Sequence, residues 1–534
     1  MKLNEENTVS NYFRDFVKGN MAKLRQFIAA MPKGADLHHH LTGAAYAETL
    51  FSIACAKNLY VNLKTGKLYP SKPADIETVK LAADMDDIHS VRMSLIDKWS
   101  VRNYHPYKYP LGADEYFFSL FGDFGAATNE EYLPEIVHQL KVRAKEENVQ
   151  YIETMGIRPK VPEFAYLDKT DYDSYTGQLT NLCLHYNDNP EGNKIEILNL
   201  LNEILNKFND NKSLDDDVNN YVDKCRWILG HKPSKMNSLR EKSIVRKFDT
   251  VRVADNDDDV MMKLQGYADR NKTPLDVFCQ LYIVHKAMEK APDSIVGCNL
   301  VSAENSENSM LYYKAHMVMF EALKAKFTKI DDKGVVTTPN TALHAGELTM
   351  GLIPPEHLTY HVKDAVRIAG AKRIGHGVDI AFEHYHDEDL PKSDEDPHYA
   401  DILDEMRKKN IAIEINLTSN EFILGVKDDA HPFKIYKDSG IPIIISTDDP
   451  GILRTSLTEE YTLATYRYDL SYEDLKQIVY NSVQYSFLSD DEKYGNPTTG
   501  ICGLKAKVDQ KFDDFENYIK SIIPKMPKPG SSQS

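Results

Sequence analysis

The sequence predicts an α/β chain folded as a (β/α)8 barrel, with helical insertions and an N-terminal helical arm. Three observations carry this reading. Short apolar runs recur along the chain, each followed by polar residues and then a helical pattern, and strand-then-helix alternation builds a parallel sheet. Several of these runs end in a residue able to ligate a metal or move a proton, and reactive groups of a barrel gather at the C-terminal ends of its strands. At 534 residues the chain is long enough to bury a large core without staples.

Residues 1–30 read as the arm. Phe13, Phe16, Leu24, Phe27 and Ile28 recur at helix-like spacing, and Met31-Pro32-Lys33-Gly34 breaks the pattern. The arm is also the candidate surface for a homodimer. The barrel is assigned to 31–505. Its strand candidates are 35–37, 151–155, 295–300, 341–343, 373–375, 411–415 and 442–446. That makes seven where a closed barrel needs eight, and the eighth is expected between 44 and 150. The most polar, irregular stretches are 185–275, with its acidic triplet Asp215-Asp216-Asp217 and the acidic run from Asp255 to Asp259, and 383–399. They are read as insertions and surface loops, with the main insertion at about 160–290. Residues 506–534 are assigned to a C-terminal helix and a Pro/Gly/Ser-rich disordered tail.

Composition narrows the partners. Sixty-four Lys and Arg against 81 Asp and Glu leave a net charge of −17, which repels phosphate backbones and argues against nucleic acid. No apolar run is long enough to span a membrane. The first 19 residues lack a contiguous apolar stretch, so no signal peptide is read and a cytoplasmic location is expected, or a secreted or periplasmic one if such a segment has been removed. Six cysteines are scattered without a CxxC pair, as reduced thiols are.

The chemistry lies at the strand ends. The first run leads into Leu37-His38-His39-His40-Leu41-Thr42-Gly43. Residues i and i+2 of a strand face one side, so His38 and His40 can converge on one ion while His39 points away. His384-Tyr385-His386 has the same spelling but sits in an acidic, Pro-flanked stretch and is read as a solvated loop. His344 and Glu347 stand three apart, with Gly346 between them able to let backbone approach a ligand. Glu is the usual proton carrier in zinc hydrolysis, though an ordinary helix start would also favour it. His376 lies between Gly375 and Gly377, where a satisfied core histidine is the plain alternative. The third glycine of a dinucleotide fingerprint is absent there. Asp448-Asp449-Pro450 follows an Ile-rich run, and adjacent buried carboxylates need a cation or donors to compensate them.

In this order, H-x-H, H-A-G-E, G-H-G and S-T-D-D-P resemble the adenosine deaminase branch of the amidohydrolase superfamily over about residues 31–490. The stretches 414–420 and 459–464 belong to the resemblance. Met31-Pro32-Lys33-Gly34, the arm and 445–449 look most like the growth-factor-type members. The resemblance implies one zinc per chain, held by His38, His40, His344 and Asp448. It implies Glu347 as the acid for purine N1, His376 as the group that takes a proton from the attacking water or orients it, and Asp449 as the partner of N7. It also implies Phe118 and Phe121 on a helix that covers the base, with Gly346 beside the ligand. The substrate implied is adenosine, with 2′-deoxyadenosine, deaminated to inosine and ammonia. Two positions depart from the pattern: Thr42 stands where the family often has an Asp at the ribose, and Ser302 where it has a Gly whose N–H reaches N3.

Three other readings compete. A binuclear amidohydrolase needs a bridging carboxylated Lys at a strand end, and Gly156 and Val301 follow the second and third runs instead. A non-catalytic binding protein has no need of Glu347 and His376. The cytidine-deaminase type needs a P-C-x-x-C motif that the sequence lacks. Another 6-amino or 6-alkylamino purine remains as an alternative substrate.

Overall fold

A computed structural model describes residues 8–523, apart from 110–111, 210, 231–259, 381, 383–398 and 499. Each of the seven apolar runs forms a strand. In chain order the barrel strands are β1 Ala35–Asp36, β2 Tyr151–Met155, β3 Met261–Asp269, β4 Ile295–Val301, β5 Ala342–Ala345, β6 Arg373–His376, β7 Ala412–Ile415 and β8 Ile443–Ile445. Neighbours pair in parallel within β1–β4 and within β5–β8. Cys298 bridges to Thr341 between the two sets. The ring closes at the other seam, where His39 bridges to Asp448: the Asp448 N–H donates to His38 O and the His40 N–H to Asp448 O, each at 2.9 Å.

The eighth strand is β3, not a segment between 44 and 150. Its sequence hides it because its two faces are reversed in polarity from a simple core strand. Met262, Leu264 and Ala268 are buried toward the outer helices, while the alternate positions Lys263, Gln265, Tyr267 and Asp269 face the barrel interior. Gln265 donates to Leu37 O at 3.1 Å, and Lys263 pairs with Glu492. The stretch 44–150 instead holds helices and a small antiparallel sheet of Tyr60–Asn62, Leu68–Tyr69 and Val79–Leu81. The insertion is correspondingly shorter than 160–290. Helices Lys169–Leu184, Pro190–Phe208 and Lys212–Ile228 are added, the acidic triplet lying on the last, whereas β3 and helix Pro274–Lys290 belong to the barrel.

The arm forms short helical pieces over Thr8–Val17 and a helix Met21–Ala30. Its apolar face is covered by its own chain: Phe27 packs on Tyr472 and Phe515 with ring centroids 5.7 and 4.9 Å away. The C-terminal helix runs Leu504–Ile522. All six cysteines are free thiols. Among the described residues no helix is long and apolar enough to cross a membrane. The acidic run 255–259, the His384–His386 loop and the tail after 523 lie outside the described residues.

Below the mouth the barrel is filled with paired charges. The fully buried Arg373 donates Nη2 to Glu153 at 2.7 Å and Nε to Glu414, and its guanidinium lies 3.8 Å over the Phe487 ring. Removing one member of such a set leaves a buried charge without its partner. Arg373→Met is expected to lower unfolding free energy by roughly 3–5 kcal/mol. Urea denaturation checks this, and a loss below about 1 kcal/mol would mean the carboxylates find other partners.

Candidate active site

The β1 segment places His38 and His40 on one side and turns His39 outward, where its Nδ1 meets Thr154 Oγ1 at 2.9 Å. From across the ring, β5 and β8 add His344 and Asp448. His40 Nε2 lies 3.1 Å from His344 Nε2 and 3.1 Å from Asp448 Oδ1, and His38 Nε2 is 3.5 Å from the same oxygen. One donor atom from each of these four residues falls within 4.8 Å of the others. Two imidazoles are oriented from behind: His38 Nδ1 by Glu414 Oε2 at 2.7 Å, His344 Nδ1 by Asn299 Oδ1 at 2.9 Å. Nε2 is thereby the free end of each ring. The His38 Nε2 is buried without a hydrogen-bond partner. Three nitrogens and one carboxylate at such spacing fit a divalent transition-metal ion better than calcium or magnesium, which take oxygen donors.

Beside this cluster Glu347 and His376 face each other, Oε1 to Nε2, at 3.8 Å. Burial, reinforced by the charges of Asp448 and Glu304, raises the Glu347 carboxyl well above the usual range, which favours its acid form. Burial also pushes His376 down to about 3, with His38 adding to the shift, and its ring is neutral. Asp449 is raised to about 8, first by burial and then by Asp448 and Glu347, against the pull of His40. Its Oδ1 has no partner, and Gly43 makes room for it, since a Cβ there would lie 1.5 Å from that oxygen.

Gly346 departs from expectation. Its N–H donates to Glu304 Oε1 at 3.1 Å, and the Glu347 N–H donates to Oε2 at 2.9 Å. At φ +79° a side chain is disfavoured, and a Cβ would stand 2.2 Å from Asp379 Oδ1. Gly346 therefore shapes the turn that aims Glu347 and is not among the residues lining the cavity.

That cavity holds about 720 Å³ above the cluster. Phe118 and Phe121, from helix Ala113–Phe124, line it together with Thr42, Ser302, His40, His344, Glu347, Asp448 and Asp449. His376 lies beneath, fully buried. Ser302 adopts φ +88°, and its hydroxyl donates to Asp269 Oδ1 at 2.8 Å, which fixes its side chain. The sequence reading missed Arg158, which pairs with Asp269, and Tyr267. Tyr267 was obscured with β3, whose alternation of Lys263, Gln265, Tyr267 and Asp269 was the available signal, and Arg158, just past β2, is tied to the site through Asp269 of β3.

Residues 234–495 match the family model for adenosine deaminase. Over 130 residues the chain is 38% identical to an adenosine deaminase of Aliivibrio fischeri strain ES114, covering 24% of this chain and 34% of that one. Over 147 residues it is 37% identical to the adenosine deaminase of Escherichia coli O1:K1, covering 26% and 39%. The matched stretch thus spans little more than a third of the length of these relatives. The fold is similar to that of Arabidopsis ADAL complexed with IMP, at TM-score 0.50 and 16% identity, over 92% of this chain and 99% of that one. Residues 234–495, the part of the chain that matches this family model, carry β3 through β8 with His344, Glu347, His376 and Asp448.

Proposed function

We propose that this protein is a zinc-dependent deaminase that hydrolyses adenosine, and 2′-deoxyadenosine, to the inosine nucleoside and ammonia. The observation that carries the reading is Glu347 facing His376 across 3.8 Å, beside four converging metal donors under an aromatic-lined cavity. His38, His40, His344 and Asp448 would hold the ion, whose Lewis acidity makes water nucleophilic at neutral pH. Glu347 gives its proton to purine N1, which draws electrons from C6. Asp449, protonated at neutral pH by its raised pKa, donates to N7, which can only accept. Phe118 and Phe121 cover the base and exclude bulk water. Water adds its oxygen to C6, one of its protons passes to the amine, the C6–N bond breaks and ammonia leaves, and the other proton returns Glu347 to its acid form. Lys263, which β3 carries inside the barrel, pairs with Glu492 and is not placed to bridge two ions. The direct test is loss of the adenosine ultraviolet band, with release of ammonia, on incubation with zinc-loaded protein.

Metal analysis of the purified protein should return about one zinc per chain, since four protein donors and one open position complete one site. A value near two would favour the binuclear chemistry.

Glu347→Gln should retain zinc and nucleoside binding while kcat falls roughly 10²-fold or more, the scale of a lost general acid. Gln can donate a hydrogen bond to N1 but cannot deliver a proton. Near-normal turnover would remove Glu347 from this role.

Thr42 carries no charge where relatives place a carboxylate at the sugar. One charge-assisted hydrogen bond is worth roughly 1.5–3 kcal/mol. Thr42→Asp should therefore sharpen the preference for adenosine over its 5′-deoxy analogue by about one to two decades in kcat/KM. An unchanged ratio would place another residue at the 5′-hydroxyl.

A further inference from the structure

The ring of His376 has two nitrogens, and what surrounds Nδ1 decides whether Nε2 carries a proton to donate to the attacking oxygen or is bare and accepts from it. The surroundings of Nδ1 answer this through an unbroken chain of contacts. The Phe433 backbone N–H points at His431 Nδ1 at 3.2 Å. His431 Nε2 meets Asn420 Oδ1 at 3.0 Å, and Asn420 Nδ2 meets His376 Nδ1 at 3.0 Å. A second amide, Asn416 Nδ2, lies 3.5 Å from the same Nδ1. All five residues are buried, so water does not substitute for these bonds.

A backbone N–H can only donate, and that end of the chain fixes every link after it. His431 Nδ1 must accept, so its single proton sits on Nε2. Burial, with Arg467 nearby, pushes His431 down to about 3, which leaves that ring neutral with one N–H to give. Asn420 must then present its oxygen to His431 and its NH2 to His376. His376 Nδ1 accepts that NH2, and the proton of His376 is left on Nε2. This Nε2 is the atom that faces Glu347 and is buried without a hydrogen-bond partner.

From this geometry we infer that Phe433, His431 and Asn420 form a relay that holds His376 in its Nε2–H tautomer, so that His376 donates a hydrogen bond to the oxygen attacking C6 and does not take that oxygen's proton. Asn420 and His431 are positioning residues. The segment that carries them also holds the peptide after His376: Tyr436 OH donates to Gly377 O at 2.6 Å, and a Cβ on Gly377 would lie 2.4 Å from that hydroxyl. The catalytic half of this inference rests on the deaminase reading above, whereas the tautomer does not.

The test uses the full-length, zinc-loaded protein labelled with 15N at histidine. Long-range proton–nitrogen spectra at neutral pH separate protonated from bare ring nitrogens, and the His376 signals are assigned by their loss in His376→Asn. The expected result is a bare Nδ1 and a protonated Nε2. A protonated Nδ1 would overturn the relay. In Asn420→Asp the carboxylate can only accept, so the proton of His376 should move to Nδ1, and kcat should fall roughly 10²-fold, the scale for losing one preorganised donor. KM should change less than about threefold. Should that variant fail to fold, His431→Leu removes the fixed end of the chain and should give a mixture of the two tautomers. An unchanged spectrum in the folded variant refutes the relay, and an unchanged kcat beside a switched tautomer refutes the donor role. Wild-type protein that shows the Nε2–H tautomer but no deamination of adenosine refutes the deaminase reading and the catalytic half with it, and leaves the relay standing.

Discussion

Glu414 joins the two halves of this structure. One carboxylate oxygen holds His38 Nδ1 at the mouth, and the other receives Arg373, which in turn binds Glu153 farther down the barrel. Burial alone would push the Glu414 carboxyl up, but Arg373 and His38 hold it below the usual range, so it remains an anion inside the protein. A buried ion pair is seldom a net gain in stability over apolar packing, because desolvation offsets the attraction. What it provides is direction. Each partner has one low-energy placement, and a first-strand histidine is thereby held to a sixth-strand arginine and a seventh-strand glutamate. The cluster of candidate metal donors inherits its geometry from that chain of charges.

The same economy explains the seam of the barrel. β8 and β1 meet through the backbone of the candidate donor residues themselves, His38, His40 and Asp448. Closing the ring and assembling the donors are therefore one event. It also explains why the interior is so polar. Lys263, Gln265, Glu153, Arg373 and Glu414 occupy positions that aliphatic side chains would fill in a purely structural barrel; Lys263 is matched to Glu492 on a late helix, and the other four to partners from other strand segments.

This polarity sets how much of the molecule was legible in the sequence. Seven strands were readable because their apolar residues run together between turn signals. β3 was not, since its inward side chains answer to partners more than a hundred residues away, as Gln265 does to Leu37 and Glu153. The site was readable where its logic is local: the two-residue period of His38 and His40, and the strand-end placement of His344, Glu347, His376 and Asp448. Gly346 was misread because its neighbours Glu304 and Asp379 are distant in sequence, and they decide what its missing side chain is for. Asn420 entered only as the last residue of the resembling stretch 414–420, with no role attached, and His431 carried no periodic or spacing signal. Their part depends on how a helix after β7 packs beneath a residue of β6.

Backbone strain follows the same map. Ser302, His376 and Asp448 are non-glycine residues with φ of +88°, +66° and +63°, and all three sit at or just beyond the C-terminal ends of β4, β6 and β8. Each such conformation costs on the order of 1–3 kcal/mol and persists only where neighbours over-determine it. Here they do. Asp269 fixes the Ser302 hydroxyl, Asn420 and Tyr436 hold His376 and the peptide after it, and β1 clasps the Asp448 backbone on both sides. A relaxed strand would carry these side chains on toward solvent. The left-handed turn brings each one back over the mouth of the barrel, where one lines the cavity wall, one faces Glu347 and one joins the three histidines of the candidate metal-donor cluster. The stability given up at three strand ends is thus the physical cause of their convergence, and the buried charge chain below supplies the rigidity that lets the strain persist.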